Sequence, residues 1–147
     1  MNVEDYTNRV IAIEWDKYET AYGRANNVPQ QLIKLISTSH ATAMDASHEL
    51  WCGLCHQHAY ISSAAEPAYL FLREVLIEAN DELQIELLDI FAGFAECTSP
   101  KHPEGNGDLQ IRIRALLIND VKLFNQLIKI EGKDGFAEFI VEELENA

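Results

Sequence analysis

Glu49-Leu50-Trp51-Cys52-Gly53-Leu54 returns forty positions later as Asp89-Ile90-Phe91-Ala92-Gly93-Phe94: acid for acid, aromatic for aromatic, glycine for glycine. Upstream of each, Pro29-Gln30-Gln31-Leu32 matches Pro67-Ala68-Tyr69-Leu70 thirty-eight positions on. A period near 40 with two helix-length segments per unit is the arithmetic of stacked helix-hairpin repeats, whose units run ~40–47 residues. A single hairpin cannot bury its apolar face, so consecutive units stack. An ordinary helical bundle is the competing architecture.

The apolar residues between these landmarks recur with a helical period. Val28, Leu32, Leu35 and Ile36 share one face, and Pro29 suits a first turn, where its missing N–H costs nothing. Ser37-Thr38-Ser39 ends that helix and caps the next, which carries Ala43, Ala46, Leu50, Trp51 and Leu54 over residues 40–55. Pro67 opens a helix bearing Tyr69, Leu70, Leu72, Val75, Leu76 and Ala79. Asn80-Asp81 caps its successor over 82–97, with Leu83, Leu87, Ile90, Phe91 and Phe94. Two prolines and two glycines in 98–108 mark the longest loop. A third stretch runs from Leu109 to Ile128, and Asn119-Asp120 offers a restart within it. Gly132-Lys133-Asp134-Gly135 turns the chain into a last helix with Phe136, Phe139, Ile140 and Leu144. No segment sustains strand alternation. The expectation is an all-α single domain, 1–147, of about 6–8 helices in stacked antiparallel hairpins: roughly 28–55, 63–97 and 108–146, behind an N-terminal cap over 1–27.

Composition agrees with a globular domain. A chain of 147 residues buries roughly 68–70% of its unfolded surface, enough for a core without covalent staples. No apolar run is long enough for a transmembrane helix. Met1-Asn2-Val3-Glu4-Asp5 has acids where a signal peptide needs basic residues, so a cytoplasmic location is expected. There the three cysteines would stay reduced. Against 11 Lys+Arg stand 24 Asp+Glu, a net charge of −13. Nucleic acid and anionic membranes would be repelled, whereas a basic protein would be attracted.

The run from Trp15 through Tyr22-Gly23-Arg24-Ala25 to Pro29 resembles the opening of a group of small bacterial HEAT-repeat-like proteins. His56-Gln57, followed by Tyr60 and the helix at Pro67, resembles the linker between hairpins in that group. The resemblance covers about residues 14–76. It departs after His-Gln, where a small residue and Thr are usual and His58-Ala59 stand here. It implies an α-solenoid and says little about activity, since such repeats are scaffolds for binding.

The most conspicuous local string is Trp51-Cys52-Gly53-Leu54-Cys55-His56-Gln57-His58. Cys-x-x-Cys-His is the c-type haem attachment pattern, and Trp-Cys-Gly-x-Cys resembles the thioredoxin active site. Haem attachment needs export; a thioredoxin pair needs a helix N-terminus after a strand. Neither context is present. Zinc is the better rival, with His48 and Cys52 on one helical face, Cys55, His56 and His58 within reach, and Cys97 and His102 as the remote candidates. The plain alternative makes Cys52 and Cys55 small packing residues and gives His56 a backbone hydrogen bond at the hairpin's end. No metal, haem or other cofactor is expected. Ser62-Ser63 read as helix caps rather than nucleophiles, and no Gly-rich phosphate loop exists.

Charge placement is more informative. The second helices of the three hairpins, at 40–55, 81–97 and 134–147, contain no Lys or Arg. Their acids recur every three or four residues and so share faces, with Asp45 and Glu49, then Glu82, Glu86 and Asp89, then Glu138 and Glu142 as the expected partner-binding set. The leading expectation is therefore a non-enzymatic inhibitor whose acidic face engages a basic protein, an immunity protein against a nucleic-acid-targeting toxin fitting best. A general scaffold or adaptor is the second reading. A small metal-dependent enzyme centred on His48, Cys52, Cys55 and His58 is the third.

Overall fold

The computed structural model describes residues 1–145 and is helical throughout but for one small hairpin. Eight α-helices run in order: α1 Val3–Ile11, α2 Val28–Lys34, α3 His40–Cys55, α4 Ala65–Glu78, α5 Asp81–Cys97, α6 Asp108–Asn119, α7 Val121–Glu131 and α8 Phe136–Glu145. Helix starts follow the capping residues. Asn2 accepts from the Asp5 N–H, Ser39 from the Thr42 N–H and Asn80 from the Leu83 N–H, each satisfying a donor that has no partner within its helix.

Packing follows the repeat. Helices α2, α4 and α6 neighbour one another in one layer; α3, α5 and α8 do so in the other, with α5 in the middle. The third unit departs from a plain hairpin, because the restart at Asp120 divides its first arm into α6 and α7, and α7 packs along α8. Asp120 was a candidate cap for this restart. Its carboxylate instead turns inward, accepting from the Tyr69 hydroxyl at 2.8 Å and from Arg73 Nε at 2.8 Å. Around it Tyr69, Phe91 and Phe124 pack edge to face or tilted, with centroids 5.3 and 5.5 Å apart. Leu50, Leu54, Leu72, Leu76 and Leu87 are fully buried between the layers, each worth ~1.5–3 kcal/mol relative to exposure. Leu70, expected on the apolar face, is exposed instead: it lies one residue past the stripe of Tyr69, Leu72 and Leu76.

The N-terminal cap holds the only strands among the described residues, an antiparallel two-residue pair, β1 Glu19–Thr20 and β2 Gly23–Arg24. Such short strands leave no alternation to read. Helix α1 docks through Tyr6, whose hydroxyl donates to the Leu32 carbonyl at 2.8 Å, and through Arg9, which forks onto Glu74 of α4.

The two repeated glycines serve one purpose. At Gly53 the β1–β2 turn lies against α3, and the Ala21 N–H donates to the Gly53 carbonyl at 2.9 Å. At Gly93 the end of α3 lies against α5: an added Cβ would fall 2.6 Å from Cys55 Sγ and 2.9 Å from the His58 ring. The fits differ in tightness, since a Cβ at Gly53 would meet Thr20 at an ordinary 3.5 Å. Gly93→Ala is therefore expected to destabilise by about 1–3 kcal/mol through overpacking. Gly53→Ala should stabilise by roughly 0.5–1 kcal/mol through helix propensity. Urea unfolding of both variants checks the opposite signs, and equal effects would show that the repeat packs alike at both sites.

Candidate functional site

The string Cys52–His58 closes α3 in an unusual way. His56, Gln57 and His58 all adopt left-handed backbone, with φ of 41°, 55° and 71°. Outside glycine this conformation costs roughly 1–2 kcal/mol per residue, so contacts elsewhere must hold it. The His56 N–H caps the helix on the Trp51 carbonyl. The His56 ring, expected to bond to backbone, instead leaves its Nδ1 buried without a partner, because the left-handed turn directs the ring toward Tyr60, 4.9 Å between centroids. His58 supplies the anchoring. Its Nε2 lies 2.7 Å from Asp89 Oδ1 and its Nδ1 lies 2.9 Å from Glu96 Oε2. A carboxylate oxygen accepts, so a ring that meets both acids is best served by donating from both nitrogens, and the two contacts favour the protonated form. The Asp89 hydrogen bond first, opposed by partial burial and aided by Glu96, raises the His58 pKa above its ordinary 6.5.

A raised folded-state pKa means the native chain holds a proton that the unfolded chain has released. The His58 contribution is thus complete below pH ~6.5 and is lost as pH climbs through the folded value. The urea midpoint of the protein should fall relative to that of His58→Gln as pH rises from 6 to 8. Parallel curves for the two proteins would remove His58 from this role.

The thiols have other surroundings. Burial pushes Cys55 and Cys97 up to about 12, so both are neutral at physiological pH, and Cys55 packs against Gly93. Cys52 is half-buried, with its sulfur 3.7 Å from His48 Nε2. His102 Nε2 donates to the Ala59 carbonyl at 2.9 Å. Among the described residues no group of three or more His, Cys, Asp and Glu side chains is arranged to hold a metal ion. Ser63 does not cap α4; it accepts from the Glu19 N–H, tying β1 to the linker, while Ser62 is buried.

Asp45, Glu49, Glu82 and Glu142 are exposed, and Glu86, Asp89 and Glu138 are half-buried. They do not share one cavity. Asp45 and Glu49 border a cavity of about 350 Å³ with Gln31 and Lys34 of α2. Glu82 faces His40 across the start of α3, at 3.0 Å. Asp89 is engaged by His58. The compensation of charge differs between the layers. On α4, Glu66 pairs with Arg112 and Glu74 with Arg9, while Asp120 pairs with Arg73. Among the described residues Asp45, Glu49, Glu86, Glu138 and Glu142 have no such ion pair, and the partners of the α5 acids Glu82, Asp89 and Glu96 are histidine rings.

One cavity was not legible from charge spacing. About 360 Å³ in volume, it opens where α5 meets the α7–α8 turn. Ala92, Phe136 and Phe139 provide its apolar lining, and His58, Glu96, Glu131 and Asp134 its polar side. Phe139, expected in the core, is exposed toward it. The signal available was Phe136-x-x-Phe139 directly after a Gly-Lys-Asp-Gly turn, which reads equally well as core.

No helix of the described chain is long and apolar enough to cross a membrane. Comparison with protein-family models, with curated proteins and with solved structures gives no match, so the geometry of this chain alone carries its functional reading.

Proposed function

We propose that the chain is a binding protein, not an enzyme, and that the helices α3, α5 and α8 present an acidic surface to a basic protein partner. The observation that carries this reading is the division of charge between the two layers. Glu66, Glu74 and Asp120, in or beside the α4 layer, are each paired with an arginine, whereas α3, α5 and α8 lie side by side without a single Lys or Arg. Like charges at i,i+4 cost roughly 0.2–0.5 kcal/mol per pair in an isolated helix, a cost that a docked basic surface would reverse. Complementary charge also speeds encounter and excludes partners of the wrong sign.

The partner class that fits is a toxin that acts on nucleic acid. Its active-site cleft would be basic, and a helical surface bearing carboxylates could cover that cleft in place of phosphates. The chain would then be an immunity protein acting in the cytoplasm. Affinity capture from the source cells at low salt tests the reading. The expected result is one small basic protein, released as salt rises from 0.1 to 1 M, over which the Debye length falls from ~10 to ~3 Å. A captured protein that is acidic, or that stays bound unchanged at 1 M salt, would overturn it.

A further inference from the structure

We infer that the cavity between α5 and the α7–α8 turn receives a single arginine side chain of the basic partner, anchoring it to the acidic surface; the inference rests on the binding function proposed above. Its polar side carries three acids, Glu96, Glu131 and Asp134, against one basic ring, His58, and its apolar side carries Phe136 and Phe139. A neutral apolar ligand would leave Glu131 and Asp134 facing it without a counter-charge, since His58 pairs with Glu96 alone of the three acids. An anion would be repelled. A bare ammonium would satisfy the acids but make poor use of two phenyl rings. A guanidinium is planar and permanently charged; it stacks on aromatic faces and forks onto carboxylates, so it uses both sides of the cavity at once. At about 360 Å³ the cavity falls in the range of small-ligand sites, ~300–1,000 Å³, and leaves room for the aliphatic stem.

The acids are positioned, not merely nearby. Glu131 Oε1 accepts from the Ala137 N–H at 2.7 Å, which fixes the carboxylate at the start of α8. Gly135 leaves it the space, since a Cβ there would fall 2.4 Å from the Glu131 carboxylate. Glu96 is held at 2.9 Å by His58, leaving its other oxygen to accept. Arginine anchors in pockets are among the residues that dominate interface energies, and among the lining residues three acids stand against the single basic side chain of His58.

The test is a titration of the isotopically labelled protein with Nα-acetyl-argininamide, followed by NMR. Nα-acetyl-citrullinamide, of similar shape and without charge, is the control. Saturable shifts should appear at Glu96, Gly135, Phe136 and Phe139 with the arginine compound only. The double variant Glu96→Gln, Asp134→Asn should weaken them about tenfold, the equivalent of 1.4 kcal/mol. Asparagine tolerates the left-handed backbone at Asp134 (φ 63°), so the turn survives the change. Equal shifts from the citrulline compound, or shifts at Asp45 and Glu49 as large as those at the cavity, would overturn the inference. A (Lys-Gly)4 peptide separates the two levels of the argument. If it perturbs the acidic helices while the arginine compound leaves the cavity unmoved, the anchor is wrong and the acidic docking surface stands. If neither compound perturbs the protein, both fall.

Discussion

Asp120→Ala is expected to lower the stability of the fold by about 3 kcal/mol, the largest effect of any single substitution considered. The Asp120 side chain is almost fully buried and accepts from two groups of α4, the Tyr69 hydroxyl and Arg73 Nε. Truncation leaves the Tyr69 hydroxyl buried among Phe91, Phe94 and Phe124 with no acceptor, and an unsatisfied group of this kind costs ~1–3 kcal/mol. Arg73 is partly exposed and recovers some hydration, which keeps the total below that of a fully buried broken pair. Burial first, then the Asp120 charge, pushes the Tyr69 hydroxyl above its ordinary 10, so it remains a donor throughout the accessible pH range. Tyr69→Phe removes the donor and its need for a partner together, and should cost about 1 kcal/mol. Urea denaturation of the three proteins checks the order. An Asp120→Ala loss no larger than that of Tyr69→Phe would mean that the cluster tolerates disconnection.

Replacing Glu49, Glu86, Glu138 and Glu142 together by lysine should slow association with a captured basic partner by roughly 10- to 1,000-fold at low salt. Dissociation should change far less, because peripheral charges act on encounter. These four are chosen because none has an ion-pair partner among the described residues, unlike Glu82 and Asp89, which His40 and His58 engage. The fold should survive, since none of the four is buried and no ion pair among the described residues is lost with them. Far-ultraviolet circular dichroism would verify that, and surface plasmon resonance would read the rates. An unchanged association rate in the quadruple variant would dissociate partner binding from the acidic helices.

What the sequence disclosed was set by how local each signal is. Caps at Ser39 and Asn80, the restart at Asp120 and the period-forty match all lie within a few residues or repeat in register, and the helices start and stop accordingly. The three residues 56–58 turn left-handed although none is glycine, so no residue type announced the turn. His58 reaches Asp89 and Glu96, thirty-one and thirty-eight positions away; only the stacking of α3 on α5 brings them together. The same holds for Tyr69 and Asp120, separated by fifty-one positions. Phe139 has the spacing of a core residue, and only the approach of the 132–135 turn to α5 makes it the wall of a cavity. Charge periodicity located acidic faces one helix at a time, but it held no information about which of those acids a histidine from another segment would claim.

Since α3 lies beside α5 and α5 beside α8, spatial order in that layer repeats the order of translation. Each hairpin leaving the ribosome finds the helix it stacks on already made by the one before it, although the far face of α5 and the Tyr69 hydroxyl wait for the third unit. The N-terminal helix is the exception, because Arg9 must wait for Glu74, sixty-five residues later. At ~5–20 residues per second that delay lasts about 3–13 seconds. During this interval the exposed underside of α1 is the part of the nascent chain most in need of protection.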